Sequence, residues 1–292
     1  AVPPGGAVKL IDATDCRALK AGSHKYSHGH ALVLSGGHGK TGAARLAARG
    51  ALRIGAGLVT LASPRNAMFE NAVHLTAIML YQMDGVHGLD EALEDERINT
   101  LCLGPGLGRG ADTQKLVLSA LKSGRAVVLD ADALTRFERT PQVLFDALHE
   151  NCVLTPHGGE FARLFPDLAG KLAEPATKGP AYSKVDATRE AAARAGCVVL
   201  FKGAGTVIAA PDGRCAVNSA HYERATPWLA TAGSGDVLAG FITGLLARGL
   251  DAMAAAETAA WLHLECARKF GPGLIAEDLP EQLPAVFRDL GF

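Results

Sequence analysis

The sequence predicts an α/β fold with a central, mostly parallel sheet, helices on both of its faces and an antiparallel edge hairpin. Short apolar runs alternate along the chain with longer segments of helical periodicity, which is typical of β-α-β units. The apolar runs are continuous rather than alternating, so both faces of their strands must be covered by helices. Two late strand-like segments flank Pro211-Asp212-Gly213, a turn typical of a hairpin.

Each predicted strand is a short apolar run that stops at a small or polar residue. The parallel strands are residues 31–34, 58–62, 100–103, 126–129, 152–154 and 197–201, and the hairpin strands are residues 206–210 and 215–218. The first run stops at Ser35, and later runs stop at Gly104, Asp130, Thr155 and Lys202. Because ligands bind outside the carboxyl ends of the strands in open α/β sheets, we expect these ends to converge on one site.

Five longer segments have the periodicity and composition of helices. They are residues 41–54, 113–122, 181–195, 235–248 and 253–270. Residues 1–25 are predicted to be a lead-in or a remnant of an interdomain junction, because the start of the chain is rich in proline and glycine. No internal repeat or low-complexity tract interrupts the rest, so residues 26–292 are predicted to form one domain.

The composition indicates an ordinary globular protein that binds neither nucleic acid nor a membrane. The 292 residues are 48% hydrophobic and 20% charged, which is enough to bury a large core. The net charge of −1 gives no basic field for nucleic acid or an anionic membrane. No apolar run approaches the roughly 18 residues of a transmembrane helix. The six cysteines include no CxxC pair, which favours a reducing compartment and a cytoplasmic protein.

The most informative motif is Ala-Thr-Ala-Gly-Ser-Gly-Asp-Val-Leu-Ala-Gly at residues 230–240. Gly233, Ser234 and Gly235 precede a long helix, so their main-chain N–H groups and the positive helix end can hold a phosphate. Asp236 lies in the first helical turn, where the helix dipole favours the ionised carboxylate that a general base requires. The alternative is a glycine-rich turn with an ordinary helix cap.

Other strand ends carry groups that suit a nucleotide or its phosphates. Residues 104–108, Gly-Pro-Gly-Leu-Gly, permit close approach of the backbone to a ligand. His157 can hydrogen-bond a ligand, and Glu160 can place a hydrated metal or a phosphate. Lys202, followed by Gly203, suits a nucleotide phosphate. Taken singly, each of these motifs also fits an ordinary turn, loop or hairpin.

Two further patterns do not carry the chemistry that they suggest. Residues 36–41, Gly-Gly-His-Gly-Lys-Thr, are similar to a P-loop, but Leu34 stands where that loop requires glycine. His24, His28 and His30 have no nearby set of carboxylates or cysteines, so they are interpreted as loop and strand-entry residues rather than metal ligands.

Taken in order, the motifs resemble those of the ADP/ATP-dependent NAD(P)H-hydrate dehydratases, whose fold is ribokinase-like. The resemblance rests on the segments at residues 36–44, 55–59, 104–108, 130–134, 155–160, 202–206 and 233–240, and it extends from about residue 25 to the C-terminus. Residues 271–280 are also similar to the tail of bacterial members. The chain departs from the family pattern at residues 219–228, where relatives usually carry an Asn-Pro-containing turn.

The resemblance implies ADP-dependent dehydration of the S-epimer of hydrated NADH or NADPH (NADHX, NADPHX), which restores NAD(P)H and releases AMP and phosphate. It implies a hydro-lyase of metabolite repair that uses ADP or ATP and Mg²⁺, forms a homo-tetramer or octamer, and is fused to or works with an NAD(P)H-hydrate epimerase. The implied substrate contacts are Ala43, Gly106, Gly108, His157 and the catalytic Asp236. The implied nucleotide contacts are Lys202, Gly203, Ala204, Gly205, Thr206, Gly233, Ser234 and Gly235, and Glu160 is the implied metal residue, acting through water.

Two other functions fit the same residues. A small-molecule kinase of the ribokinase superfamily would use the anion site and Asp236 to phosphorylate an alcohol. A non-catalytic nucleotide-binding module would bind ADP without turnover, although it would need no base. The product separates these possibilities, because a kinase releases a stable phosphorylated alcohol whereas a dehydratase releases free phosphate and NAD(P)H.

Overall fold

The computed structural model describes residues 6–12, 24–175 and 181–292, and the strands of this part form one ten-stranded sheet. The strands are β1 (Lys9–Leu10), β2 (His30–Leu34), β3 (Leu58–Ser63), β4 (Met79–Gln82), β5 (Ile98–Leu103), β6 (Ala126–Leu129), β7 (Cys152–Leu154), β8 (Val198–Phe201), β9 (Gly205–Ala209) and β10 (Cys215–Ser219). Their order across the sheet is β1-β10-β9-β8-β7-β6-β5-β2-β3-β4. Only β9 runs antiparallel to its neighbours, β8 and β10, so the predicted parallel sheet with a hairpin towards one edge is confirmed.

Helices cover both faces of this sheet. They are α1 (Gly42–Ile54), α2 (Met68–Ala72), α3 (Gly85–Ala92), α4 (Ala111–Lys122), α5 (Asp132–Thr135), α6 (Pro141–Phe145), α7 (Gly158–Leu164), α8 (Pro166–Ala173), α9 (Lys184–Ala195), α10 (Ser234–Ala247), α11 (Ala252–Phe270) and α12 (Asp278–Asp289). Helices α1, α10, α11 and α12 pack on one face, and α3 to α9 pack on the other. Along β2, Ala31 and Val33 enter the first core whereas Leu32 and Leu34 enter the second, which explains the uninterrupted apolar run.

Several elements lack a strong local pattern and were not predicted from the sequence. Strand β4 lies at the sheet edge, where Met79 is 42% exposed, so its residues show no buried run. Helices α3 and α12 were also missed, the first because two glycines weaken its helical propensity. Helix α9 begins at Lys184 rather than at residue 181, because the Ser183 hydroxyl caps it by accepting from Asp186 N.

Residues 6–12 belong to the segment predicted as a lead-in, and they take part in the fold. Strand β1 pairs in parallel with Ala216 and Val217 of β10, and Ile11 is only 1% exposed. Residues 13–23, which include Cys16, lie outside the described residues. Cys102, Cys152, Cys197, Cys215 and Cys266 are buried and unpaired within the described ranges. No helix of the described residues has the length and apolarity needed to cross a bilayer.

Helices α1 and α10 touch through their backbones. A Cβ on Gly240 would stand 2.1 Å from the carbonyl oxygen of Ala47, and one on Gly244 would stand 2.5 Å from that of Ala51. Neither backbone oxygen can move without displacing α1, so glycine is required at both positions. This contact fixes α10, whose first turn carries the predicted anion site.

We therefore expect Gly240→Ala to destabilise the protein by about 1–3 kcal/mol, because the added methyl group forces the two helices apart. Urea unfolding monitored by circular dichroism measures this change. Gly170→Ala is the matched control, since Gly170 also lies in a helix but has open space around its missing Cβ. That control should raise stability by about 0.5–1 kcal/mol, and equal effects of the two substitutions would contradict the packing argument.

Candidate active site

The carboxyl ends of the central strands meet at a buried cluster of charged side chains. Lys202 follows β8, and its Nζ lies 2.7 Å from Oδ1 of Asp130, which follows β6. The same Nζ lies 3.9 Å from Oε2 of Glu160 in α7. Asp130 is 1% and Glu160 is 5% exposed, so the ion pair is shielded from water. The predicted convergence of these distant strand ends is what the structure shows.

The first turn of α10 faces this cluster. Gly233 adopts φ 87°, a left-handed conformation that favours glycine, and it begins the helix. A Cβ on Gly235 would lie 3.4 Å from Lys202 Nζ and 4.0 Å from Asp130 Oδ2, so the glycine backbone stands directly beside the ion pair. The start of a helix and a lysine ammonium both favour a bound anion, so the predicted anion site would lie between this turn and Lys202.

Asp236 shares the same helical turn and the same buried surroundings. Burial raises its pKa to about 7, the negative charges of Asp130 and Glu160 add to this shift, and the Lys202 ammonium opposes it. This direction is opposite to the one that the helix dipole alone would produce, because desolvation outweighs the dipole here. A carboxyl group with a pKa near neutrality can both take up and release a proton at physiological pH, as a general base must.

Lys202 stays charged in this cluster, and Glu160 is held in a fixed position. Burial lowers the pKa of Lys202, but Asp130 and Glu160 outweigh it and raise that pKa above its ordinary value, so the ammonium stays charged. Burial raises the pKa of Glu160. Glu160 Oε2 accepts from His157 N at 2.8 Å, while His157 Nδ1 accepts from Gly159 N at 2.9 Å. This reciprocal cap orients both side chains at the start of α7.

His263 contacts this site, although its sequence context, a long helix without a motif, carries no signal. Its Nε2 lies 2.8 Å from the carbonyl oxygen of Ser234, and the side chain packs edge-on against Phe241. Burial lowers the pKa of His263 to about 4, so the ring is neutral at pH 7. Since a carbonyl only accepts, Nε2 carries the proton and donates it. This hydrogen bond anchors Ser234, the first residue of α10, to α11.

The predicted nucleotide loop, residues 202–206, is supported by a second lysine, which belongs to none of the sequence motifs. Lys184 Nζ donates to the carbonyl oxygens of Lys202 at 3.0 Å and Gly205 at 2.7 Å. Burial lowers the pKa of Lys184 to about 8. Gly203 has φ 153°, a backbone conformation that residues with a Cβ rarely adopt, so glycine is favoured there. The Thr206 hydroxyl donates to Gly203 O at 2.9 Å. These bonds fix the loop beside the anion site.

Two segments that contain predicted substrate contacts, residues 36–43 and residues 104–108, pack against each other. A Cβ on Gly36 would meet the carbonyl oxygen of Gly106 at 2.0 Å. A Cβ on Gly106 would lie 2.5 Å from Lys40 O and 3.7 Å from the Cβ of Ala43. The structure thus brings Ala43 and Gly106 together on one wall, and Gly108 follows two residues later with open space around its missing Cβ.

A strained turn connects this wall to the charged cluster. Ala131 has φ 47° and ψ −116°, a conformation that costs a non-glycine residue on the order of 1–3 kcal/mol. The turn directs Asp130 towards Lys202, while Asp132 Oδ2 accepts from Gly108 N at 2.8 Å. The sequence placed Asp130 at a strand end without assigning it a role. The geometry makes it the partner of Lys202.

The segment that is similar to a P-loop, residues 36–41, already uses hydrogen-bond donors that would bind a phosphate. Glu70 Oε2 accepts from Gly39 N at 2.8 Å, and Glu70 Oε1 accepts from the Thr41 hydroxyl. His38 Nδ1 lies 3.0 Å from the same carboxylate. A carboxylate of the protein therefore occupies the position of an anion, which agrees with the rejection of a P-loop.

The mixed sheet and its two helical layers place the chain in the ribokinase-like fold class of α/β proteins. Within this class, the profile of the NAD(P)H-hydrate dehydratase family matches residues 31–284, and the chain belongs to that family.

Related proteins agree with this assignment. The chain is 38% identical over 300 residues to a bifunctional NAD(P)H-hydrate repair enzyme of Moorella thermoacetica, covering 97% of this chain and 54% of that protein. It is 34% identical to an ADP-dependent (S)-NAD(P)H-hydrate dehydratase of Bacillus subtilis, over 92% of each chain. The crystal structure of an ADP/ATP-dependent NAD(P)H-hydrate dehydratase from B. subtilis, co-crystallised with ATP/Mg²⁺, superposes with a TM-score of 0.77 and 29% identity over 97% of this chain and 98% of that one. The chain thus spans about half the length of the bifunctional relative.

The raised pKa of Asp236 predicts a pH-dependent contribution to stability. A carboxyl group whose pKa rises on folding binds its proton more tightly in the folded state, so its contribution is present at low pH and is lost as pH rises towards about 7. The loss approaches about 1.4 kcal/mol per pH unit for one proton. Asn cannot titrate, so Asp236→Asn should gain stability relative to the unsubstituted protein between pH 5 and pH 8.

Urea unfolding of both proteins without nucleotide, at pH 5 and pH 8, measures this difference. Asp112→Asn is the control, because Asp112 also lies in the first turn of a helix but its side chain is 86% exposed. A stability difference for Asp236→Asn that does not change with pH would show that the carboxyl group is not desolvated as described.

Proposed function

We propose that this protein dehydrates the S-epimer of hydrated NADH or NADPH at the expense of ADP, restoring NAD(P)H and releasing AMP and phosphate. The observation that carries the proposal is the position of Asp236, which shares one helical turn with the N–H donors of residues 233–235 beside the Lys202 ammonium. A base and a phosphate site are therefore adjacent, as a phosphoryl transfer to a hydroxyl group requires. The family match and the names of the relatives support this substrate.

The chemistry starts from a hydroxyl group on the carbon next to the nitrogen of the reduced nicotinamide ring. Asp236 takes the hydroxyl proton while the oxygen attacks the terminal phosphorus of ADP, and AMP leaves. The N–H groups of α10 and Lys202 stabilise the charge on the transferred phosphoryl group. The phosphate is a better leaving group than hydroxide, so the ring nitrogen lone pair expels it. Loss of a proton from the neighbouring carbon then gives NAD(P)H.

The charges of the site fit a nucleotide that carries Mg²⁺. Asp130 and Glu160 contact the Lys202 ammonium and Asp236 lies within its electrostatic influence, so the fully ionised cluster has an excess of negative charge before an anionic nucleotide binds. Magnesium supplies the opposite charge and is commonly held by phosphates, waters and one or two carboxylates. Glu160 would act through water, because both of its oxygens already contact His157. Ala43, Gly106, Gly108 and His157 would contact the hydrate, and residues 202–206 the nucleotide.

A kinase of the same superfamily or a nucleotide-binding module would show a similar anion site. The family profile favours the dehydratase over both alternatives. We also propose a cytoplasmic homo-oligomer, a tetramer or octamer, that is fused to or works with an epimerase. The buried, unpaired cysteines support a reducing compartment. The exposed Phe69 and Val73 lie beside β4, the outermost of the described strands on that side, and support an oligomer contact.

Incubation of the protein with ADP and a mixture of hydrated NADH or NADPH should restore the absorbance of the reduced nicotinamide. One AMP and one phosphate should appear for each NAD(P)H formed. Because kcat/KM reports groups of the free enzyme, it should rise with pH and level off above about 7, as Asp236 loses its proton. A stable phosphorylated dinucleotide in place of free phosphate would identify a kinase.

Asp236→Asn should lower kcat by roughly 10²–10⁴-fold, because the amide cannot accept the hydroxyl proton. Affinity for ADP, measured by calorimetry, should stay within a few-fold, since the N–H donors remain. Asp112→Asn again serves as the control and should keep full activity. Near-normal turnover of Asp236→Asn would exclude this residue as the base.

A further inference from the structure

A polar cavity lies next to the substrate wall, outside the cluster around Lys202. It has a volume of about 180 Å³ and is lined by Arg109, Thr135, Arg136, Glu138 and Arg139. Arg109 follows the loop of residues 104–108, and the other lining residues come from the end of α5 and the chain just after it. None of them takes part in the proposed phosphoryl transfer.

The cavity carries an excess of positive charge. Arg109 Nε lies 3.5 Å from Asp132 Oδ1, and Arg136 Nε donates to Gly110 O at 3.1 Å. Within the described ranges Arg139 has no ion-pair partner. The carboxylate of Glu138 is shared with Arg163, whose Nε lies 3.5 Å from it. Three guanidinium groups thus line the cavity, and the adjacent carboxylates do not neutralise them, so the preferred occupant is an anion.

This cavity is joined directly to the wall on which the dinucleotide is proposed to lie. Asp132 both accepts from Gly108 N at 2.8 Å and faces Arg109. The Thr113 hydroxyl donates to Gly108 O at 2.7 Å, which fixes the loop from the other side. Gly108 has φ 83° and open space where a side chain would stand, so a ligand can cross it and reach the arginines.

We propose that this cavity binds a phosphate group of the dinucleotide substrate. The proposal rests on the function proposed above. Guanidinium groups hold phosphate through paired, charge-assisted hydrogen bonds, and Thr135 adds a hydroxyl group. Two phosphate sources share this chemistry: the terminal 2′-phosphate that only NADPH hydrate carries, and the pyrophosphate that both hydrates carry.

Arg139→Ala is the cleanest test, because this side chain supports no other part of the described structure. The test compares kcat and KM for NADH hydrate and NADPH hydrate at saturating ADP, and dissociation constants for NAD⁺ and NADP⁺ by calorimetry. KM and the dissociation constant should rise roughly tenfold, while kcat and the KM for ADP stay unchanged. The double variant Arg109→Ala/Arg139→Ala should lose more. Arg214→Ala is the control, since Arg214 is exposed in the turn between β9 and β10, away from the carboxyl ends of the parallel strands.

The pattern across substrates identifies the source of the phosphate. A loss confined to NADPH hydrate and NADP⁺ assigns the 2′-phosphate, and an equal loss for both dinucleotides assigns the pyrophosphate. Unchanged values for both dinucleotides, or a rise in the KM for ADP alone, would overturn the proposal. Failure of the proposed function looks different, because the unsubstituted protein would then turn over neither hydrate, whatever the arginine variants did to NADP⁺ binding.

Discussion

The ion pair between Lys202 and Asp130 is the interaction around which the site is arranged. It joins the ends of β8 and β6 across β7, and both charged groups are largely removed from water. A buried ammonium without a carboxylate would cost several kcal/mol, so each residue requires the other. One cation cannot neutralise Asp130, Glu160 and Asp236 together. Burial, together with the surplus carboxylate charge, therefore raises the pKa of Asp236.

Close contacts between backbone segments fix the position of this charged cluster relative to the rest of the fold. The glycines at 36, 104 and 106 stand where any side chain would collide with a neighbouring carbonyl oxygen. Glycine is needed at these positions because no side chain fits there, and its absence of a side chain lets residues 36–40 and 104–106 pack into one wall. The glycines of α10 serve the same purpose against α1. The contact between α1 and α10 fixes the first turn of α10 relative to the strand ends, and the proposed phosphate site depends on that placement.

The predictable part of the fold is the part with strong local patterns. The buried central strands and the long helices α1, α10 and α11 were predicted to within a few residues, because their apolar runs are continuous or periodic. Strand β4 and helices α3 and α12 were missed, since an exposed edge strand has no buried run and a short glycine-containing helix has weak propensity. Strand β1 has only two residues and exists through its pairing with β10.

The sequence by itself determined the α/β class, the polar strand ends and the glycine-rich start of α10, because each depends on residues that are neighbours in the chain. Tertiary structure alone decided the roles of Lys184 and His263, which lie in other elements and bond to backbone carbonyl oxygens of the site. It also decided the pKa of Asp236. Helix position predicts an ionised carboxylate, whereas burial and the charges of residues more than 70 positions away favour the protonated form. Desolvation and Coulomb interactions depend on distance in space, which no local pattern encodes.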